Sequence, residues 1–87
     1  MVITDNEVRA TDAQVSAWRA SGKTYQVIAA EIALWARGKE RGTVLPDNQV
    51  FGRKLNIDPS PSTYRRAKML LVRQGVLSTS DGPFQVA

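Results

Sequence analysis

Apolar positions recur at helical spacing in four stretches of the chain, and the last of them organises the rest. At about 100° per residue, Tyr64, Ala67, Leu70 and Leu71 fall on one stripe of a segment running from Pro61 to Gly75. Arg65, Lys68 and Met69 point the other way on this reading, with Arg66 and Arg73 on a flank. Pro61, with Ser62 and Thr63 as candidate caps, opens the helix, and Gly75 closes it. A helix of this kind seals a core with one face and offers hydroxyls and guanidinium groups on the other.

The preceding pattern predicts three further helices. The first covers about 12 to 20, capped by Thr11 and Asp12, with Val15 and Trp18 inward. A second covers about 25 to 37, capped by Thr24, with Tyr25, Ile28, Ala29, Ile32 and Trp35 in its apolar pattern. Trp18 and Trp35 are expected as core anchors. The third covers about 47 to 55, with Asp47 at its start, Val50, Phe51 and Leu55 inward, and Arg53 and Lys54 as an outward basic pair. Pro59 and Pro61 force a turn between this helix and the next, where Ile57 is expected to drop into the core.

Two short β-prone runs follow, Val76 to Thr79 and Phe84 to Val86, separated by Ser80-Asp81-Gly82-Pro83, and they read as a hairpin. Thr43-Val44-Leu45 is the natural third strand of a small antiparallel sheet. Residues 1 to 10 read as a flexible arm, and 11 to 87 as one domain. The expected fold is thus α+β and mostly helical: a winged helix-turn-helix with an extra N-terminal helix.

Charge sharpens the picture. The 87 residues carry a net charge of +4, but Arg37 to Arg73 holds nine basic residues against three acids, a surplus of six. The flanking segments are each slightly acidic. A concentrated basic middle points to a polyanionic partner. The chain has neither cysteine nor histidine, which removes disulfides, thiol nucleophiles, Cys/His zinc sites and the commonest general base. Its eight acids are scattered without a convincing pair, so neither an enzyme, a cofactor nor a bound metal is expected. No apolar run approaches the roughly 20 residues of a membrane span, and the start lacks signal-peptide blocks, so a cytoplasmic protein is expected.

Placed at the entry of a major groove, Ser62 and Thr63 would meet phosphates or base edges, and Arg65 suits bidentate contact with guanine. Arg66, Lys68, Arg53 and Lys54 would grip phosphates, with Asn48 and Gln49 as backbone donors. Thr79, Ser80 and Gly82 would bring the wing toward the minor groove. The expected partner is double-stranded DNA, bound by a homodimer on a palindromic site.

Four segments in order resemble the DNA-binding domain of GntR-type transcription regulators, over about residues 24 to 87. Tyr25-x-x-Ile28-Ala29-x-x-Ile32 is similar to that family's opening helix, and Gly42-x-x-Leu45-Pro46 to its Gly-x-x-Leu-Pro step. Thr63-Tyr64-Arg65-Arg66-Ala67, Leu71 and Gln74-Gly75-Val76-Leu77 resemble the recognition helix and its exit without a gap, and Asp81 to Val86 resembles the wing more loosely. The resemblance implies sequence-specific DNA binding by a transcription regulator, most simply a repressor. The sequence departs from the family at Pro61-Ser62, where an Arg is usual, at Asn48-Gln49, where an Arg or Glu-Arg often follows Leu-Pro, and at Asp81 on the wing tip. The inter-helix turn is also about two residues longer. The family's effector-sensing domain has no counterpart here, so no small-molecule effector site is expected. Two other uses of the same fold fit this sequence: an accessory DNA-binding role in replication, partition or excision of a mobile element, and a winged helix whose basic face meets an acidic protein.

Overall fold

The computed structural model describes residues 10–79 and 82–87. Four helices and a two-stranded antiparallel sheet make a mostly helical α+β unit: α1 (Asp12–Ala20), α2 (Thr24–Ala36), α3 (Asn48–Leu55), α4 (Pro61–Arg73), β1 (Leu77–Ser78) and β2 (Gln85–Val86). The four expected helices and both strands of the expected hairpin are present, with ends shifted by a residue or two.

Helix α2 is the hub because it is apolar nearly all round. Ile28, Ala29, Ala30, Ile32, Ala33 and Ala36 are fully buried; the isoleucines fill the core, and the four alanines let the neighbouring helices approach closely. Val15 and Trp18 of α1 and Tyr64, Ala67 and Leu71 of α4 reach the same core, joined by Phe51 of α3 and by Val76, Leu77 and Val86 from the sheet. Trp35 stands edge-on to Phe51, with ring centroids 6.0 Å apart and planes at 87°, a favoured aromatic geometry.

Capping differs from the sequence expectation at two helices. Thr24 is the first helical residue of α2 rather than its cap, and Lys23 takes the capping position without a side-chain bond. Helix α4 is capped by Ser60, whose hydroxyl accepts the Thr63 N–H, so Ser62 and Thr63 lie inside the first turn. With Pro61 at the first helical position, where no N–H is needed, Ser60 is the residue with extended backbone and an oxygen facing the free amides. At α1 the expected cap is present as a reciprocal pair: Thr11 Oγ1 accepts the Gln14 N–H and Gln14 Oε1 accepts the Thr11 N–H, each at 3.2 Å.

The sheet pairs Leu77 with Val86 and Ser78 with Gln85. The third strand expected over 43–45 is reduced to one bridge, Val44 to Gln85. Its hydrogen bonds still hold the segment down: Gly42 N–H to the Val86 carbonyl and Val86 N–H to the Thr43 carbonyl, both 2.8 Å, and Leu45 N–H to the Phe84 carbonyl at 3.1 Å. Pro46 ends the run immediately, which leaves no length for a ladder.

The expected flexible arm spans residues 1–9, which lie outside the described residues, and Ala10. Ala10 itself is buried. Its carbonyl accepts a bond from Arg37 Nη2 at 3.0 Å, while Arg37 Nη1 pairs with Asp12 at 2.9 Å. One guanidinium thus ties the start of α1 to the end of α2. Among the described residues, no helix is long and apolar enough to cross a membrane.

Candidate functional site

The exposed side of α4 is built by subtraction. Packing consumes Tyr64, Ala67 and Leu71, so the opposite arc presents Ser62, Arg65, Arg66, Met69 and Arg73. No acidic residue occurs from Pro59 through Ser80, which includes the whole helix. Arg65 is exposed, and its side chain makes no hydrogen bond or ion pair among the described residues. Its guanidinium is therefore available to a partner.

The two basic residues beside it are held by rings. The Arg66 guanidinium carbon lies 4.1 Å from the centroid of Tyr25, on the first turn of α2. Lys68 Nζ lies 5.3 Å from the centroid of Phe84, just before β2. This corrects the placement of Lys68. It belongs to the flank of α4 that faces the hairpin, and it is half-buried there rather than turned outward with Arg65. Desolvation lowers its pKa, and the Asp47 carboxylate works, more weakly, the other way.

The N-terminal turn of α4 carries a knot of hydroxyls. Ser60 Oγ lies 3.0 Å from both Ser62 Oγ and Thr63 Oγ1. Ser62 is exposed and Thr63 half-buried, so Ser62 is the better placed of the two to meet a partner.

On α3, the expected basic pair separates. Arg53 is exposed and donates to Gln49 Oε1 at 3.1 Å, one turn earlier on the same face. Lys54 leans toward Glu31 of α2, with Nζ 3.9 Å from Oε1. Asn48 is half-buried, and its Oδ1 is buried without a hydrogen-bond partner. Gln49 is exposed, and its N–H is taken by Asp47 Oδ1 at 2.9 Å. Of the two expected amide donors, Gln49 is the accessible one.

Between α3 and α4 an open groove of about 230 Å³ is lined by Gln49, Gly52, Arg53, Ile57, Asp58 and Tyr64. Ile57 does not enter the core as expected: it is 38% exposed and forms one wall of this groove. Asn56 takes a left-handed conformation at the end of α3, and the Ile57 N–H bonds back to the Gly52 carbonyl at 3.0 Å, which turns the side chain outward. Tyr64 points inward, as its stripe predicts. Burial and the Asp58 carboxylate raise its pKa, against hydrogen bonding with the Gly52 backbone.

In the hairpin, Thr79 Oγ1 donates to the Gly82 carbonyl at 3.1 Å, so that hydroxyl is already engaged in shaping the turn. Gly82 is exposed, with φ of 118° that only glycine adopts readily. Ser80 lies outside the described residues.

Three contributors escaped the sequence reading. Tyr25 reads as part of an apolar helix pattern and Phe84 as part of a β-prone run, and nothing local says that each receives a cation from α4. Ser60 was masked by the serine and threonine following the proline, although a hydroxyl directly before a proline at the first helical position is the readable signal. No family model, curated protein or solved structure matches this chain.

Proposed function

We propose that this chain is a winged helix-turn-helix that binds double-stranded DNA sequence-specifically and regulates transcription, with α4 as the helix that enters the major groove. In this reading α3, the turn and α4 form the helix-turn-helix, and the β1–β2 hairpin is the wing. The observation that carries it is the outer arc of α4, which presents cations without a single acid and leaves Arg65 unpartnered. Exposed guanidinium groups on an acid-free helix suit a surface of phosphates and guanine edges. Arg53 and Gln49 beside it extend the cationic and hydrogen-bonding surface onto α3. The likeness of residues 24 to 87 to GntR-type regulators supports the same reading.

Arg65 reads a base, Ser62 and Thr63 meet the backbone at the helix start, and Arg53, Lys54, Arg66 and Lys68 hold phosphates. A single domain of this size buries little surface on DNA, so two copies bind a palindromic site. A protein that fills the groove at a promoter excludes others, which makes repression the simplest outcome. The test is anisotropy with labelled random duplex over a range of salt, followed by selection from a random pool. Binding that weakens steeply with salt and a recovered palindromic consensus are expected. Failure to bind any duplex at low ionic strength refutes the reading, and binding without a consensus refutes its specificity.

A further inference from the structure

A flexible cation can be fixed at a protein surface in two ways. A carboxylate fixes it and neutralises it; an aromatic face fixes it and leaves its charge and its N–H donors available. Both devices occur here. Arg37 is held by Asp12, and Lys54 leans on Glu31. Arg66 and Lys68 instead lie over the rings of Tyr25 and Phe84, with no hydrogen bond or ion pair among the described residues.

Their placement on α4 gives this a direction. Residues two apart on a helix are separated by about 200°. Tyr25 comes from α2 on one side of α4, and Phe84 comes from the hairpin on the other. Arg65, which precedes Arg66 and projects from the arc between the two around the helix, has no such support. At 4.1 Å from the ring centroid the guanidinium is held by the π face, and its N–H groups, bonded to no described side chain, remain open to an oxygen anion.

Resting on the duplex-binding reading, we propose that Tyr25 and Phe84 are positioning residues that seat Arg66 and Lys68 on opposite flanks of α4 as preset grips for phosphates on the two backbones bordering the groove, leaving Arg65 free to read bases. The rings touch no DNA. They reduce the rotamer freedom that each cation loses on binding.

The experiment is a double-mutant cycle on the full chain with a bound duplex, using Tyr25→Leu, Arg66→Ala and both together. Tyr25→Leu weakens binding about two- to fivefold, the scale of an exposed cation–π contact, and leaves the salt slope unchanged because no charge is lost. Arg66→Ala lowers the slope by about 0.9, and adding Tyr25→Leu to it costs nothing further. Tyr25→Phe, which keeps the ring, binds as wild type. In the free protein, ring-current shifts of the Arg66 side-chain protons vanish in Tyr25→Leu and persist in Tyr25→Phe. The same shifts report on Lys68 in Phe84→Leu without any need for DNA.

An equal loss from Tyr25→Leu with and without Arg66 overturns the proposal, because the ring then acts through the fold. An unchanged affinity and slope in Arg66→Ala, in a protein that still binds duplex, overturns it while the DNA reading stands. Absence of binding to every duplex by the wild-type protein removes the DNA reading and this inference with it.

Discussion

The phenol oxygen of Tyr64 occupies the place where a side chain on residue 52 would begin. A β-carbon at Gly52 would collide with that oxygen and lie 2.9 Å from the Ile57 carbonyl. Gly52 is fully within a helix and has no positive φ, so its role is to let α3 and the start of α4 come together. Gly52→Ala therefore destabilises by about 1–3 kcal/mol, the scale of overpacking in a tight core. Chemical denaturation measures it. Gly52→Ala combined with Tyr64→Phe recovers part of the loss, since the oxygen in the way is gone; no recovery would remove this account of the glycine.

Tyr64 also predicts an alkaline limit. Its pKa is raised in the fold, chiefly by burial and then by Asp58. The folded state holds the phenolic proton more tightly than the unfolded chain, whose tyrosine titrates near 10.0. The stability this confers is complete below that value and is lost as pH rises through the folded-state pKa. Stability of the wild type thus falls above pH 10, and the fall is shallower in Tyr64→Phe. Parallel curves for the two proteins would exclude Tyr64 as the source.

Ser60 is the cap of α4, so Ser60→Ala costs about 1 kcal/mol and Ser60→Thr much less. Amide exchange localises the effect: the Thr63 N–H loses its side-chain acceptor and exchanges faster. Ser62→Ala has a far smaller effect on stability. If it matches Ser60→Ala, the hydroxyl knot rather than the single cap sustains the helix start.

If the chain binds duplex DNA as proposed, Arg65 and the α3 cations act differently on it. Arg65→Ala weakens the selected duplex by about 1–3 kcal/mol and flattens preference among sequences, with little change on random duplex. Replacing Arg53 and Lys54 with alanine weakens all duplexes alike and reduces the salt slope by about two phosphate contacts' worth. Equal losses on selected and random duplex for Arg65→Ala would make it a phosphate contact.

The sequence alone determined the four helices, the site of the hairpin, the inward stripe of Tyr64, Ala67 and Leu71, and the basic middle of the chain. Each of these is carried by neighbours within a few residues: apolar spacing, prolines, and charges counted along the chain. Tertiary structure decided what the exposed groups do. Lys68 lies on the hairpin flank because Phe84 arrives there; Ile57 stays outside because Asn56 turns left-handed and its own N–H is held by Gly52. Gly52 is required because a phenol from another helix lands on it. The run at 43–45 keeps one bridge because Pro46 cuts it short against a hairpin that is itself only two pairs long. These outcomes depend on which distant surfaces meet when α2 is buried from several sides, and helical or strand periodicity carries no information about the partner across the gap.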